Sequence, residues 1–159
     1  MAAHADKTGV ILACPSCGRS NRVAFTAAAK AARCGQCKTT LGPVGVPVEI
    51  TDSSVFDAAA ATSTIPLVVD FWAPWCGPCR MVAPELERVA RDAAGRFLVV
   101  KVNTDQLTDI AARFRIQSIP TLAIVWQGRE LDRVSGARQA ADILAFAERA
   151  AAAHERRAS

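Results

Sequence analysis

The chain has 159 residues, of which 51% are hydrophobic and 21% are charged, and its formal net charge is +4. This length fits one ordinary domain, or one domain with a small additional module, and the composition is that of a folded, soluble protein. No apolar run is long enough to cross a membrane, and the start of the chain lacks the features of a secretory signal. We therefore expect a cytoplasmic protein with no membrane partner.

The positive charge is concentrated at the start of the chain. Residues 1–48 contain six Lys or Arg and one Asp, whereas residues 49–159 contain thirteen basic and fourteen acidic residues. A basic segment can bind an anionic partner, or it can compensate the charge of a metal held by four thiolates. We favour the second interpretation because these charges surround cysteines. Nucleic acid is not the expected partner, since the only aromatic residue of the segment, Phe25, is expected in a core.

All six cysteines occur in Cys-x-x-Cys pairs. The first two pairs, Cys14/Cys17 and Cys34/Cys37, are sixteen residues apart, a spacing typical of zinc sites. Four thiolates suit tetrahedral Zn²⁺ in a closed structural site, and the metal would supply folding energy that so small a module cannot obtain from its core. We therefore predict a zinc-binding Cys₄ module over residues 1–41. An iron centre, two disulfides or redox-active thiols are the alternatives. A zinc module is either structural only, or redox-responsive if oxidation of its thiolates releases the metal.

A linker and a second domain are predicted after this module. Residues 42–47 contain two glycines and two prolines, which sustain neither a helix nor a central strand. Strand and helix patterns then alternate through residues 48–159 in the order βαβαβαββα. This order predicts an α/β fold with a mixed central sheet and helices on both faces.

Periodicity also predicts the buried face of one helix and the extent of another. The helix over residues 76–93 is expected to bury Met81 and Val82 on its apolar face. The last helix is predicted to run from residue 138 to about residue 152, with His154 in a frayed, solvated terminus.

The third pair, Cys76 and Cys79, lies between a predicted buried strand and the start of a helix. A Cys-x-x-Cys at this place is typical of disulfide exchange, in which a thiolate attacks a disulfide. The N–H groups and the dipole of a helix N-terminus stabilise an anion, so Cys76 is predicted to attack. Cys79, one turn into the helix and more buried, is predicted to resolve. Pro78 suits the first helical turn, and Gly77 leaves room for a substrate disulfide.

Two charged residues interrupt predicted buried strands. Asp70 stands in an apolar run, where burial should raise its pKa and make it a proton acceptor for Cys79 through water. Lys101, which stands among valines of the next strand, is a candidate charge partner. On the residues alone, a buried structural ion pair is the favoured interpretation of the two.

Residues 49–152 resemble the thioredoxin family. The resemblance rests on residues 69–79 (VDFWAPWCGPC), 101–105 (KVNTD) and 118–122 (SIPTL), and on Gly128 and Gly136, in matching order and spacing. It implies the thioredoxin fold and a protein-disulfide reductase that carries electrons to disulfide-containing proteins. The Gly-Pro dipeptide between the cysteines is the reductase form. The resemblance makes Asp70 and Lys101 the buried acid and its partner.

The resemblance also implies where a substrate docks. It implies a cis Ile119–Pro120 peptide that faces the cysteines, although the sequence alone favours trans. The implied substrate-binding residues, here called the substrate patch, are Trp75, Gly77, Pro78, Ile119, Pro120, Gly136 and Ala137.

With the Cys₄ segment in front, the whole chain resembles the bacterial thioredoxin 2 subclass. This resemblance implies zinc in the first module and reduction by an NADPH-dependent thioredoxin reductase, and we expect a monomer with no organic cofactor. The rival interpretation is a zinc-ribbon adaptor or holdase-like protein that uses the second domain only for docking. The Gly-Pro dipeptide and Asp70 argue against it, because docking needs neither.

Overall fold

The computed structural model describes residues 3–158. Its strands are β1 (Ala3–Ala5), β2 (Gly9–Ala13), β3 (Ser20–Ala24), β4 (Ala32–Arg33), β5 (Thr40–Gly42), β6 (Val48–Ile50), β7 (Leu67–Trp72), β8 (Leu98–Asn103), β9 (Thr121–Trp126) and β10 (Arg129–Ser135). Its α-helices are α1 (Ser53–Thr62), α2 (Gly77–Asp92), α3 (Thr108–Arg113) and α4 (Ala140–Ala158). Eight strands form one sheet in the order β10-β9-β7-β8-β6-β1-β2-β3, and β4 and β5 form a separate pair. Within residues 3–158, no helix has the length and apolar character needed to span a membrane.

The predicted order of strands and helices from β6 onward is confirmed. Strands β6, β8 and β7 run parallel, whereas β9 runs antiparallel to β7 and β10 antiparallel to β9, so the sheet is mixed. The prediction for the last helix is wrong at its end, because α4 continues to Ala158. Its final turns pack on the sheet: the His154 ring lies 5.6 Å from the Trp126 ring, and His154 shares a hydrogen bond with Gln127.

The central strands divide their side chains between two hydrophobic cores. Val69 of β7 and Val100 of β8 lie in the core that includes α1 and α3. Val68 and Val99, one residue earlier in each strand, lie in the core that includes α2 and α4. Because successive side chains of a strand point to opposite faces, Asp70 shares the α2 face with Val68.

The first part of the chain extends the same sheet. Strand β1 pairs in parallel with β6, and β2 and β3 follow in antiparallel pairing. Phe25 is buried in one core with Phe56 of α1, and Val44 of the expected linker lies in that core too. The division into residues 1–41, a linker over residues 42–47 and residues 48–159 stays a prediction.

Substitution of Phe25 by Ala tests whether these parts unfold together. Phe25→Ala is expected to lower the free energy of unfolding by about 3–5 kcal/mol, since it leaves a cavity in a shared core. The three tryptophans, Trp72, Trp75 and Trp126, all follow the expected linker. In a denaturant titration followed by tryptophan fluorescence, Phe25→Ala should therefore unfold at a lower denaturant concentration than the unmodified chain.

The matched control is Met81→Ala at an exposed position, which should change stability by less than about 0.5 kcal/mol. An unchanged tryptophan transition in Phe25→Ala would mean that the two parts unfold independently.

Candidate active site and Cys₄ cluster

The Cys76/Cys79 pair lies at the start of α2, as predicted. Cys76 is the N-cap residue, and its Sγ accepts a hydrogen bond from the Cys79 N–H at 3.2 Å. The two cysteines are joined by a disulfide, with their Cα atoms 5.3 Å apart. Amide groups and the helix dipole thus favour negative charge on Cys76 Sγ. The prediction that Cys79 is more buried than Cys76 is wrong for this oxidised form: Cys79 is 5% and Cys76 3% exposed, because both belong to one cluster packed against Ile119. The two sulfurs differ in position along the helix, not in burial.

The loop before β9 lies against this disulfide. The Ile119–Pro120 peptide is cis, and the Ile119 carbonyl oxygen lies 3.8 Å from Cys76 Sγ. The Gly136 N–H donates to the Pro120 carbonyl oxygen at 2.9 Å, which brings the end of β10 beside the same loop. Residues far apart in the chain therefore meet around Cys76.

The rest of the substrate patch differs in exposure. Trp75 is 69% exposed, and its indole N–H donates to Asp105 Oδ2 at 3.1 Å. Gly77, Pro78, Gly136 and Ala137 are also exposed, whereas Ile119 is half-buried and Pro120 is buried. The sequence prediction for Met81 is wrong: this side chain is 68% exposed on α2 and lines a groove together with Ala137. The helix turns Met81 out of the core because Val82, Leu86 and Val89 occupy the buried face.

Asp70 lies in the middle of β7 and is 1% exposed. Burial raises the pKa of Asp70 to about 7, with the Lys101 ammonium opposing the rise and the Glu49 carboxylate adding to it. Lys101 is the cross-strand neighbour of Asp70, and its Nζ lies 4.7 Å from the centroid of the Trp72 ring. Asp70, Lys101 and Cys79 line one cavity of about 310 Å³. A carboxyl group that titrates near neutrality can take up and return a proton there.

Glu49 was missed by the sequence analysis. It is the cross-strand neighbour of Lys101 on the side away from Asp70. Its carboxyl is half-buried, and burial raises its pKa against the opposing effects of Lys101 and the Trp72 indole. The available signal was a single charge between two apolar strand residues, the same signal that marked Asp70 and Lys101.

The four N-terminal cysteines form one cluster. Their Sγ atoms all lie within 4.8 Å of one another, with 3.6 Å between Cys14 and Cys37 and between Cys17 and Cys34. A tetrahedral Zn²⁺ with Zn–S bonds of about 2.3 Å would hold its sulfurs about 3.8 Å apart. The cluster therefore has the donor set and the size to hold one metal ion.

Two similar turns carry these sulfurs. The Cys14 N–H and the Cys34 N–H each donate to the carbonyl oxygen five residues later, at 2.8 and 2.9 Å. Gly18 and Lys38 occupy matching places with φ of +79° and +66°, a region that glycine adopts freely and lysine at some cost. Cys34 Sγ accepts hydrogen bonds from the Gln36 N–H at 3.4 Å and from the Asn21 side-chain amide at 3.6 Å, and both favour a thiolate at this position.

Known proteins match the part of the chain that holds the Cys76/Cys79 pair. A profile described as Thioredoxin matches residues 46–149. Thioredoxin 1 of Nostoc sp. (strain PCC 7120) is 49% identical over 89 residues, which cover 56% of this chain and 82% of that protein. Thioredoxin C-3 of Corynebacterium nephridii is 37% identical over 128 residues, which cover 80% of this chain and 86% of that protein.

Solved structures agree on the fold. A mutant thioredoxin from Halobacterium salinarum NRC-1 superposes with a TM-score of 0.61 at 24% identity, covering 66% of this chain and 90% of that chain. The thioredoxin of Malassezia sympodialis superposes with a TM-score of 0.61 at 28% identity, covering 69% and 93%. The family match includes the Cys76/Cys79 pair and most of the described fold after β5. The chain therefore belongs to the thioredoxin family of thiol–disulfide oxidoreductases.

Proposed function

We propose that this protein-disulfide reductase attacks its substrates with Cys76 and resolves the mixed disulfide with Cys79, while zinc holds the N-terminal Cys₄ cluster. The observation that carries the assignment is the position of Cys76 Sγ at the N-cap of α2, where it accepts the Cys79 N–H. A thiolate at this place is stabilised before any substrate arrives.

The first step forms a mixed disulfide. The Cys76 thiolate attacks one sulfur of the substrate disulfide, and the other sulfur leaves as a thiolate that takes a proton from solvent. The exposed Trp75 and the Ile119–Pro120 loop flank the attacking sulfur, and both would contact the substrate chain.

The second step releases the reduced substrate. Cys79 gives its proton to the Asp70 carboxylate across the cavity that both residues line, and then attacks Cys76 Sγ. The second substrate sulfur leaves as a thiolate, and the Cys76–Cys79 disulfide forms. Two electrons have then passed to the substrate, and Asp70 returns its proton to solvent. Lys101 limits the rise in the Asp70 pKa, so Asp70 still ionises near neutral pH.

We further propose the partners that this cycle needs. A chain left with the Cys76–Cys79 disulfide needs a two-electron donor, and an NADPH-dependent thioredoxin reductase is the donor that the family resemblance implies. Disulfide-containing proteins are the substrates, and a reducing cytoplasm suits the four thiolates of the zinc cluster. No organic cofactor takes part, since the cysteines themselves carry the electrons.

Cys79→Ser is expected to trap substrates covalently, because no thiol remains to resolve the mixed disulfide on Cys76. Mixing this variant with insulin and separating the products on a non-reducing gel should reveal the adduct, and mass spectrometry should locate it on Cys76. The matched control is the double variant Cys76→Ser/Cys79→Ser: it keeps the Cys₄ cluster, lacks the attacking thiol and should accumulate no adduct. An adduct on another cysteine, or none at all, contradicts the assigned roles. Failure of the unmodified chain to reduce insulin would favour the adaptor or holdase interpretation.

Asp70→Asn is expected to stabilise the oxidised chain at pH 8. The folded pKa of about 7 lies above the ordinary value of 3.8. Between these values the unfolded chain loses a proton that the folded chain keeps, so the free energy of unfolding falls as the pH rises. Above pH 7 the whole cost is present, about 4 kcal/mol for a shift of this size.

Denaturant unfolding at several pH values measures this difference, which should disappear toward pH 4. The control Asp132→Asn, at an exposed position in β10, should give no such trend. Equal stability of Asp70→Asn and the unmodified chain at pH 8 would mean that the pKa of Asp70 in the folded chain is the ordinary value of 3.8.

The purified chain is expected to contain one zinc ion, and Cys34→Ser is expected to contain none, since three sulfurs make an open site. Elemental analysis combined with a thiol count under denaturing conditions measures both. Cys76→Ser is the control and should keep its zinc, because Cys76 lies outside the cluster. Iron in place of zinc, or a metal-free chain that lacks four thiols, would overturn the assignment.

A further inference from the structure

Glu49 has no part in the reaction as described, although it lies beside the residues that move the proton. We propose that Glu49 is a positioning residue of this reaction: its carboxylate shares the Lys101 ammonium with Asp70 and so keeps Asp70 a strong enough base for the Cys79 proton. This inference rests on the proposed role of Asp70 as proton acceptor.

The register of the sheet places the three charges side by side. Val48 and Ile50 of β6 are buried in the core next to α1, so Glu49 between them points to the opposite face, beneath α2. Glu49 is directly opposite Lys101, and Lys101 is directly opposite Asp70. With strands about 4.8 Å apart, the backbones of Glu49 and Asp70 are about 10 Å from each other, and Lys101 lies on the strand between them.

The first segment of the chain keeps Glu49 away from solvent. Without it, β6 would be the edge of the sheet. Instead β1 pairs with β6, with His4 opposite Glu49, so Glu49 lies inside the eight-stranded sheet and is half-buried. Charges that are partly removed from water interact more strongly than charges at a solvated edge.

Few other charges face this row. His4 is exposed beside Glu49, and from α2 the groups are Cys79 and Arg80, which line the Asp70 cavity. The Arg80 guanidinium is exposed and donates to a backbone carbonyl oxygen of the preceding loop at 2.9 Å. Lys101 is therefore the cation that the two carboxylates have in common.

Lys101 acts on Asp70 through its charge and makes no hydrogen bond to Asp70 Oδ1. Its Nζ lies over the Trp72 ring, and Asp70 Oδ1 has no hydrogen-bond partner within the described chain. Without the charge on Glu49, the Lys101 ammonium would stabilise the Asp70 carboxylate only. The repulsion between the two carboxylates would also be lost. Asp70 would then ionise at lower pH and accept the Cys79 proton less readily.

Carbon-13 NMR of the side-chain carboxyl groups in the oxidised chain measures the titration of Asp70 directly. In Glu49→Gln the Asp70 midpoint should fall by about 0.5–1 pH unit, the size expected for charges about 10 Å apart in a partly buried setting. Glu49→Asp keeps the charge and should keep the midpoint. Glu87→Gln removes a charge from an exposed position of α2 and should also leave it unchanged.

The reductase reaction gives a second readout. The pH profile of insulin reduction should shift to lower pH in Glu49→Gln by the same amount as the Asp70 midpoint, and should not shift in Glu49→Asp. An unmoved Asp70 midpoint in Glu49→Gln overturns the inference. An equal movement in Glu49→Asp and Glu49→Gln also overturns it, because the cause would then be packing rather than charge.

If Glu49→Gln does not fold, titration of the unmodified chain still tests the inference. Coupled carboxyl groups each show the titration step of the other, so the Glu49 carbon should report the Asp70 step, and two independent curves overturn the inference. An Asp70 midpoint near the ordinary value in the unmodified chain would contradict the proposed function together with the inference. A midpoint near 7 that Glu49→Gln leaves in place contradicts the inference alone.

Discussion

The alternation of side chains along the three parallel strands β6, β8 and β7 is the constraint on which the rest of the structure depends. Every second residue of these strands must be apolar because it packs against α1 and α3. The residues between them point to the opposite face of the sheet, where α2 and α4 pack. Three charges, Glu49, Lys101 and Asp70, occupy that second face at the same level of the sheet. The unfavourable burial of Asp70 and its ability to hold a proton near neutral pH therefore have one cause.

The same packing determines where the cysteine pair lies. Helix α2 buries Val82, Leu86 and Val89 against the sheet, which fixes the direction of the helix and places Cys76 at its N-terminus. Strand β9 pairs with β7 and begins just after the Ile119–Pro120 peptide, so that loop arrives at the same edge of the sheet. Cys76, the Ile119–Pro120 loop and the buried Asp70 are thus brought together by contacts that also form the core.

Two kinds of Cys-x-x-Cys differ here in the backbone around them rather than in their spacing. Cys76 caps a helix, where amide groups and a dipole make a single sulfur reactive. Cys14 and Cys34 begin short turns, and their sulfurs converge with those of Cys17 and Cys37 in a group of four. A converging group suits a metal ion, whereas a capping sulfur suits exchange with a substrate.

Much of this could be predicted from local patterns. The order of strands and helices after residue 48 follows from periodicity, because burial on one face repeats every two residues in a strand and about every 3.6 in a helix. The division of the cysteines into one pair at a helix start and one group of four follows from their spacing and their neighbours. Asp70 and Lys101 were recognisable because each is a charge in an apolar strand, and a charge is costly there without a function or a partner.

The sequence by itself determined these elements and candidate groups, since each depends on residues close together in the chain. Only the tertiary structure decided which elements become neighbours: β1 beside β6, Glu49 beside Lys101, and the Ile119 carbonyl beside Cys76. It also turned Met81 out to solvent. The physical reason is that strand pairing and helix docking join segments far apart in sequence. Their energies depend on how whole faces fit together, which no local pattern records.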